Sequence, residues 1–230
     1  MQAVILAAGR GTRMGKLVED TPKPMLVVAG KTLLEHKFDA LPEEVDEIIL
    51  IVGYLADVIK EKYGDSYGGR KIRYITQENI VGGTADALWQ AQALLGGKFV
   101  VMMGDDVYSK GDIEAIRTHD WAILVQRAPD TAVGGRVVVD SEHNVVDIIE
   151  GNQGGEGLVS ANMFALDARS FDFSQQPKAA GSSELGLPQT ILAASKVSGI
   201  PFNVVEAVQW IQITNPDDIQ AAEKTLAKMR

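Results

Sequence analysis

The sequence predicts an α/β protein: a mixed, mostly parallel sheet with helices on both faces. Three observations lead there. Apolar runs of strand length alternate with amphipathic stretches of helical length as far as about residue 128, the pattern of βαβ units. Beyond that point strands crowd together, which adds antiparallel pairs. No linker, repeat or low-complexity segment divides the 230 residues, a length that suits one large domain or two small ones and buries a sizeable core.

Taken in order, "AVILAA" (3–8) is a short apolar run ending in glycine and reads as a buried strand. "TLLEHKFDAL" (32–41) is amphipathic and reads as a helix, and "DEIILIVG" (46–53) as a second buried strand. "LADVIKEKYG" (55–64) is a helix stopped by Gly64, followed by a strand in "RKIRYITQ" (70–77). "GTADALWQAQALLGG" (83–97) has helical spacing, with Thr84 as cap and Gly96 as stop. "KFVVMMGDD" (98–106) is an apolar strand ending in two aspartates, "GDIEAIRTH" (111–119) a helix and "WAILVQR" (121–127) a strand. "GRVVVDSEHNVVDIIEG" (135–151) reads as two strands joined by a polar turn at 141–144, and "GLVSANMFALD" (157–167) as another strand. "EGNQGGEG" (150–157) between them is the expected flexible loop. "SSELGLPQTILAASKV" (182–197) reads as a helix interrupted near Pro188. Strands in "PFNVVEA" (201–207) and "VQWIQIT" (208–214) precede a last helix (215–229) with Asn215 as N-cap, Pro216 at N1 and aspartates in its first turn.

Composition removes whole classes of function. A net charge of −9 argues against general nucleic-acid or anionic-membrane binding, so any anion site must be a local concentration of positive charge. There is no cysteine, hence no disulfide and no thiolate chemistry. Three scattered histidines, His36, His119 and His143, make no zinc site. No apolar stretch approaches the ~20 residues of a membrane span. The N-terminus is apolar too briefly for a signal peptide and lacks a basic lead-in. The expected protein is soluble and cytoplasmic.

The glycine-rich, basic stretch "LAAGRGTRMGKL" (6–17) follows the first strand. It fails the dinucleotide fingerprint G-x-G-x-x-G, because Met14 stands at the third glycine. It also fails the ATPase loop G-x-x-x-x-G-K-[ST]: Arg10 occupies the first glycine position and Leu17 the hydroxyl position. A bare strand-to-helix turn would not need Arg10, Arg13 and Lys16 together. The residue types do suit a phosphate group. Glycines let backbone N–H groups approach its oxygens. Arg13 holds phosphate oxygens with two donors. Lys23, between Pro22 and Pro24, places one charge on a stiff segment.

"LAAGRGTRMG" (6–15) followed by "TPKPML" (21–26) resembles the signature of the nucleoside-triphosphate:sugar-1-phosphate nucleotidyltransferases, L-A-A-G-x-G-T-R-[ML]…P-K-P-[ML]. Weaker resemblance runs through nearly the whole chain. The family moves a nucleotidyl group to a sugar 1-phosphate and releases pyrophosphate. The resemblance implies a three-layer α/β/α sandwich in a single domain, Rossmann-like and similar to the glycosyltransferase-A fold. Residues 1–128 would form the nucleotide-binding half and 129–230 the acceptor-binding half. The β-helix acyltransferase domain that some relatives append is not expected here. Arg13 and Lys23 would be the catalytic residues, with Leu6, Ala7, Ala8, Gly9, Arg10, Gly11 and Thr12 against the nucleotide.

"GDD" at the end of the fourth strand lies where ligands gather in open α/β sheets. Mg²⁺ takes one or two carboxylates plus phosphates and water. The family's aspartate for Mg²⁺ matches Asp105, while Asp106 either assists or faces solvent. The family's second metal ligand, a late aspartate, falls at Gln212 in "WIQITNPDDI", where Trp210 matches and the metal position is a neutral amide. Asp217 and Asp218 are expected to serve the last helix instead. "ITQENIVGGTADAL" (75–88) resembles the family's base-reading stretch. Gln77, with one acceptor and one donor, complements the N3–H and carbonyl edge of uracil or thymine and points to UTP or dTTP. Gly82 or Gly83 would let the backbone lie against the base, and Gly82, Gly83 and Thr84 are all expected to bind the nucleotide. On the acceptor side, the resemblance implies Gly135, Glu150, Ser160 and Asn162. Gly151 stands where the family has a lysine, Ser160 where it has asparagine and Asn162 where it has glycine. The expected partners are a nucleoside triphosphate and a sugar 1-phosphate. The alternatives are a cytidylyltransferase acting on a non-sugar phosphate such as phosphocholine, and a nucleotide-binding relative without turnover.

Overall fold

The computed structural model describes residues 1–131, 135–151 and 154–228. Its strands are β1 (Gln2–Ala7), β2 (Val27–Val28), β3 (Lys31–Thr32), β4 (Glu47–Val52), β5 (Ser66–Tyr67), β6 (Arg70–Thr76), β7 (Lys98–Met103) and β8 (Asp106–Tyr108) in the first half. The remaining strands are β9 (Trp121–Ala128), β10 (Arg136–Val139), β11 (Val145–Ile149), β12 (Gly157–Asp167), β13 (Gln176–Pro177), β14 (Leu185–Gly186), β15 (Phe202–Glu206) and β16 (Trp210–Gln212). The helices are α1 (Leu33–Ala40), α2 (Ala56–Tyr63), α3 (Gly83–Trp89), α4 (Lys110–Ile116), α5 (Leu187–Ser198) and α6 (Pro216–Ala227).

Ten strands form one sheet in the order β11-β10-β12-β7-β1-β4-β6-β5, with β9 paired to β12 and β15. β1 lies parallel between β4 and β7, and β6 parallel to β4, as the βαβ alternation predicts. β12 joins this half antiparallel to β7 and also pairs with β9 and β10. β1 shows the period-two logic of a strand covered on both faces. Ala3, Ile5 and Ala7 enter the apolar layer under α1, α2 and α4, while Val4 enters the layer under α3 and α5. A third, smaller apolar group joins Met14, Leu26 and Val28 to Ile213 and Ala222, seating α6 against the segment that follows the glycine-rich loop. The expected three-layer, mixed and mostly parallel sandwich is what forms.

Several local expectations need correction. Thr84 does not cap α3: Gly82 is the N-cap, and the Thr84 hydroxyl accepts from the Leu187 N–H (2.9 Å). α3 ends at Trp89, and a 3-10 turn at Gln92–Leu94 follows before Gly96. Pro188 does not interrupt a helix but stands in the first turn of α5, where its missing N–H leaves no bond unmade. The residues before it pair as β14 with β13. β8 was not foreseen; it pairs antiparallel with β16 and sets Gln212 opposite Asp106. The last helix begins as read, with Asn215 accepting from Asp217 N–H, and Asp218 accepting from the Thr214 and Asn215 N–H groups. Residues 152–153 of the expected flexible loop, and residue 229 of the last segment, lie outside the described residues.

Candidate active site

The carboxyl ends of β1, β4, β6 and β7 lie side by side, and the loops leaving them surround one cavity of about 400 Å³. Its walls include Leu6, Ala7, Ala8, Gly9 and Gly11 from the glycine-rich loop, Lys23 and Pro24 from the "TPKPML" segment, and Gln77 from the end of β6. Ile80, Val81, Gly83, Thr84 and Ala87 close the side under α3, and Met103 and Asp105 the floor after β7. Glu184 reaches in from the segment before β14. Nine of the expected nucleotide-side residues and the expected metal ligand Asp105 thus line one space: Leu6, Ala7, Ala8, Gly9, Gly11, Lys23, Gln77, Gly83 and Thr84.

Its chemical centre is a pair. Lys23 Nζ lies 2.5 Å from Asp105 Oδ2, with the lysine side chain 6% exposed and the aspartate 37%. Lys23 is held in a 3-10 turn, Lys23–Met25, that opens directly after Pro22. Gly11 makes room for it: the glycine is left-handed (φ 62°), and a Cβ there would fall 2.9 Å from Lys23 Cβ. Arg10, Thr12 and Arg13 are exposed and lie outside the cavity wall. Arg10 sits 5.8 Å above the Tyr54 ring, whose hydroxyl donates to the Val18 and Glu19 carbonyls. Gly82 also lies outside the wall.

Asp106 does not face solvent. It is 3% exposed, and its Oδ2 accepts from Trp210 Nε1 (3.0 Å) and Tyr108 OH (3.4 Å). Burial and the neighbouring Asp105 charge push its pKa up to about 7. Beneath it, Lys37 is fully buried and donates to the Leu33, Gly104 and Asp106 carbonyls. Burial pulls the Lys37 pKa down to about 8. Lys37, Glu184 and Asp86 escaped the sequence reading. Only Lys37 left a signal there, a charge at a core position of the Leu33-Leu34-Phe38 stripe.

Gln77 is buried, and its Nε2 donates to Asp86 Oδ2 (2.7 Å) and to the Gly83 carbonyl (3.3 Å). The expectation of one free donor and one free acceptor is therefore corrected: the protein takes up the donor side. Gln212 is exposed and does not line the cavity. Among the described residues no cluster of three or more His, Cys, Asp or Glu is placed to hold a metal. Mg²⁺ fits here only with Asp105 as protein ligand and phosphate oxygens supplying further positions, a donor set this ion commonly uses.

The acceptor-side residues gather elsewhere, around the bend of β12. Register shifts between Ser160 and Phe164, and Asn162 there is left-handed (φ 52°). Asparagine tolerates that conformation better than other non-glycine residues, which explains why it can stand at a glycine position. Ser160 Oγ donates to Asn162 Oδ1 and accepts from its N–H, both at 3.1 Å. Glu150 accepts from Gln189 Nε2 (2.9 Å), and a Cβ on Gly135 would lie 3.1 Å from the same carboxylate. None of these four lines the nucleotide-side cavity.

A glycine loop, a lysine and a carboxylate meet at the carboxyl ends of parallel strands, the place where open α/β sheets take their ligands. The chain belongs to the Nucleotidyl transferase family, which it matches over residues 2–226. It is 32% identical over 231 residues to the bifunctional protein GlmU of Methanocaldococcus jannaschii, covering 98% of this chain and 54% of that protein. The chain thus spans about half the length of that relative. It is 31% identical over 238 residues to the UTP–glucose-1-phosphate uridylyltransferase AglF of Haloferax volcanii, covering 98% of this chain and 96% of that one. Among solved structures, HddC from Yersinia pseudotuberculosis superposes with a TM-score of 0.73 at 26% identity, over 98% of this chain and 99% of that one. No helix among the described residues is long and apolar enough to cross a membrane.

Proposed function

We propose that the chain transfers a uridylyl or thymidylyl group from UTP or dTTP to a sugar 1-phosphate and releases pyrophosphate. The observation that carries this reading is the Lys23–Asp105 pair, 2.5 Å apart in the wall of the cavity beneath the glycine-rich loop. In the proposed step an oxygen of the acceptor phosphate attacks the α-phosphorus in line. A new P–O bond forms as the bond to the β-phosphate breaks, and pyrophosphate leaves with the electron pair. The acceptor phosphate is ionised near neutral pH, so no general base is required. Lys23 stabilises the charge gathering on the α-phosphate, Arg13 neutralises the departing phosphates, and the loop amides orient the chain of phosphates. Asp105 would hold Mg²⁺, which supplies further charge neutralisation when bound. Gln77 would read the base, and Gly135, Glu150, Ser160 and Asn162 would contact the acceptor. The AglF relative, matched over nearly its full length, carries a UTP-dependent activity of this class in its name.

The test is pyrophosphate release with Mg²⁺ from UTP, dTTP, CTP, GTP and ATP, each against a panel of sugar 1-phosphates and phosphocholine. Release from UTP or dTTP with one sugar 1-phosphate is expected. Release only from CTP with a non-sugar phosphate would replace this reading with the cytidylyl one. Binding without release by any pair would make the chain a nucleotide-binding relative and direct attention to Gln212→Asp.

A further inference from the structure

The amide of Gln77 has two unequal ends. Its Nε2 donates to Asp86 Oδ2 (2.7 Å) and Gly83 O (3.3 Å), while Oε1 has no partner among the described residues. The assignment of nitrogen and oxygen follows from chemistry. A carboxylate and a carbonyl only accept, so the NH₂ end must face them. Asp86 is itself tightly placed. A Cβ on Gly82 would fall 2.5 Å from its Oδ2 and 2.6 Å from its Cγ, so the backbone at Gly82 packs directly on the carboxylate. With the nitrogen engaged and the residue 5% exposed in the cavity wall, the atom of Gln77 left for a ligand is an acceptor.

We infer that Asp86 is a positioning residue that sets pyrimidine specificity, by locking Gln77 with Oε1 toward the base. The inference rests on the proposed reading of the cavity as a nucleotide site. A locked acceptor favours a ring N–H, which uracil and thymine carry at N3. It opposes cytosine, whose N3 is a bare acceptor and would meet Oε1 lone pair to lone pair. A glutamine free to turn over would serve both bases, so the discrimination belongs to the pair and not to Gln77 alone. Asp86 also sits in the first turn of α3, where a carboxylate favours the helix on its own account. The test therefore needs a readout that helix stability does not move.

That readout is the ratio of equilibrium affinities for UTP and CTP, measured by titration calorimetry with Mg²⁺ on the full chain. Wild type should bind UTP about tenfold or more tightly than CTP, the scale of one mispaired hydrogen bond. Asp86→Asn can accept from or donate to Gln77 and should bring the two affinities within about threefold. Asp86→Ser, which also accepts or donates, gives the same test if the asparagine variant does not fold. A wild type that binds CTP as well as UTP overturns the inference, as does an Asp86 variant that keeps the full ratio. If UTP, dTTP and CTP all fail to bind wild type, the reading of the cavity itself falls.

Discussion

Lys37 in α1 and Lys23 in the turn that precedes it are both buried lysines, yet they do different work. Lys37 has no contact with the cavity and spends its three donors on the Leu33, Gly104 and Asp106 carbonyls. It also balances the buried Asp106 carboxylate through space. Lys37→Ala would strand three acceptors and one charge, and it should lower unfolding free energy by about 3–5 kcal/mol. Lys37→Met, which refills the space, should cost less. Urea unfolding of both variants checks the order, and equal losses would show that filling the volume matters little. Lys23 instead meets Asp105 at the cavity wall. Lys23→Ala and Asp105→Ala should each reduce turnover by about 10²–10³-fold while the fold survives. Pyrophosphate release and circular dichroism on the same samples read both quantities, and wild-type turnover in either variant would remove that residue from the site. This division was only partly legible in the chain. The "TPKPML" motif marks Lys23 by resemblance, and the two aspartates after an apolar strand mark a strand-end site. Asp86 and Glu184 carry no local signal, because their meaning comes from Gln77 and the cavity, which only folding brings to them.

At the scale of elements, what could be read from the chain was what is local. Asn215, Pro216 and Asp218 announce the start of α6 because every bond of that cap closes within four residues. Thr84 has the residue type of a cap, but its hydroxyl is taken by Leu187 from 103 positions away. β8 is three residues long and exists through its pairing with β16, near the other end of the chain. Asp167 closes the longest strand, β12, in a way that yields a pH-dependent prediction. Burial raises its pKa, but the Arg169 guanidinium and N–H outweigh that, and the net shift is downward. A lowered folded pKa gives a stabilising contribution that is present above the unfolded value of 3.8 and is lost as pH falls through the folded one. Asp167→Asn keeps an acceptor for the Arg169 N–H and loses the ion pair. It should destabilise by about 0.5–1 kcal/mol at pH 6, since the arginine is half exposed. The gap between the two proteins should close as pH drops below about 4. Thermal unfolding at pH 6 and pH 3 checks the sign, and a gap that widens in acid would refute it.

The whole molecule is tied together by β12. Its Phe164–Asp167 stretch pairs with β7 of the nucleotide side, while its Leu158 and Val159 pair with β10 of the acceptor side. The helices repeat the tie: Thr84 of α3 accepts from Leu187 of α5, and Trp89 of α3 packs edge-to-face on Phe171, centroids 5.0 Å apart. Glu184, from the second half, stands in the wall of a cavity built otherwise by the first. Division into halves at about residue 128 therefore describes the roles proposed for each side and not two units that fold separately. Unfolding should be one cooperative event. The three tryptophans provide the probes, Trp89 in α3, Trp121 in β9 and Trp210 in β16. A variant keeping only Trp89 reports the first half and one keeping only Trp210 the second, with phenylalanine at the other two positions. In urea their fluorescence midpoints should each coincide with that variant's own far-ultraviolet dichroism midpoint, because neither apolar layer survives loss of the strand that both halves share. If Trp210 is lost at lower urea than the dichroism while Trp89 holds, the acceptor side opens on its own, and the sheet is less continuous in energy than in hydrogen bonding.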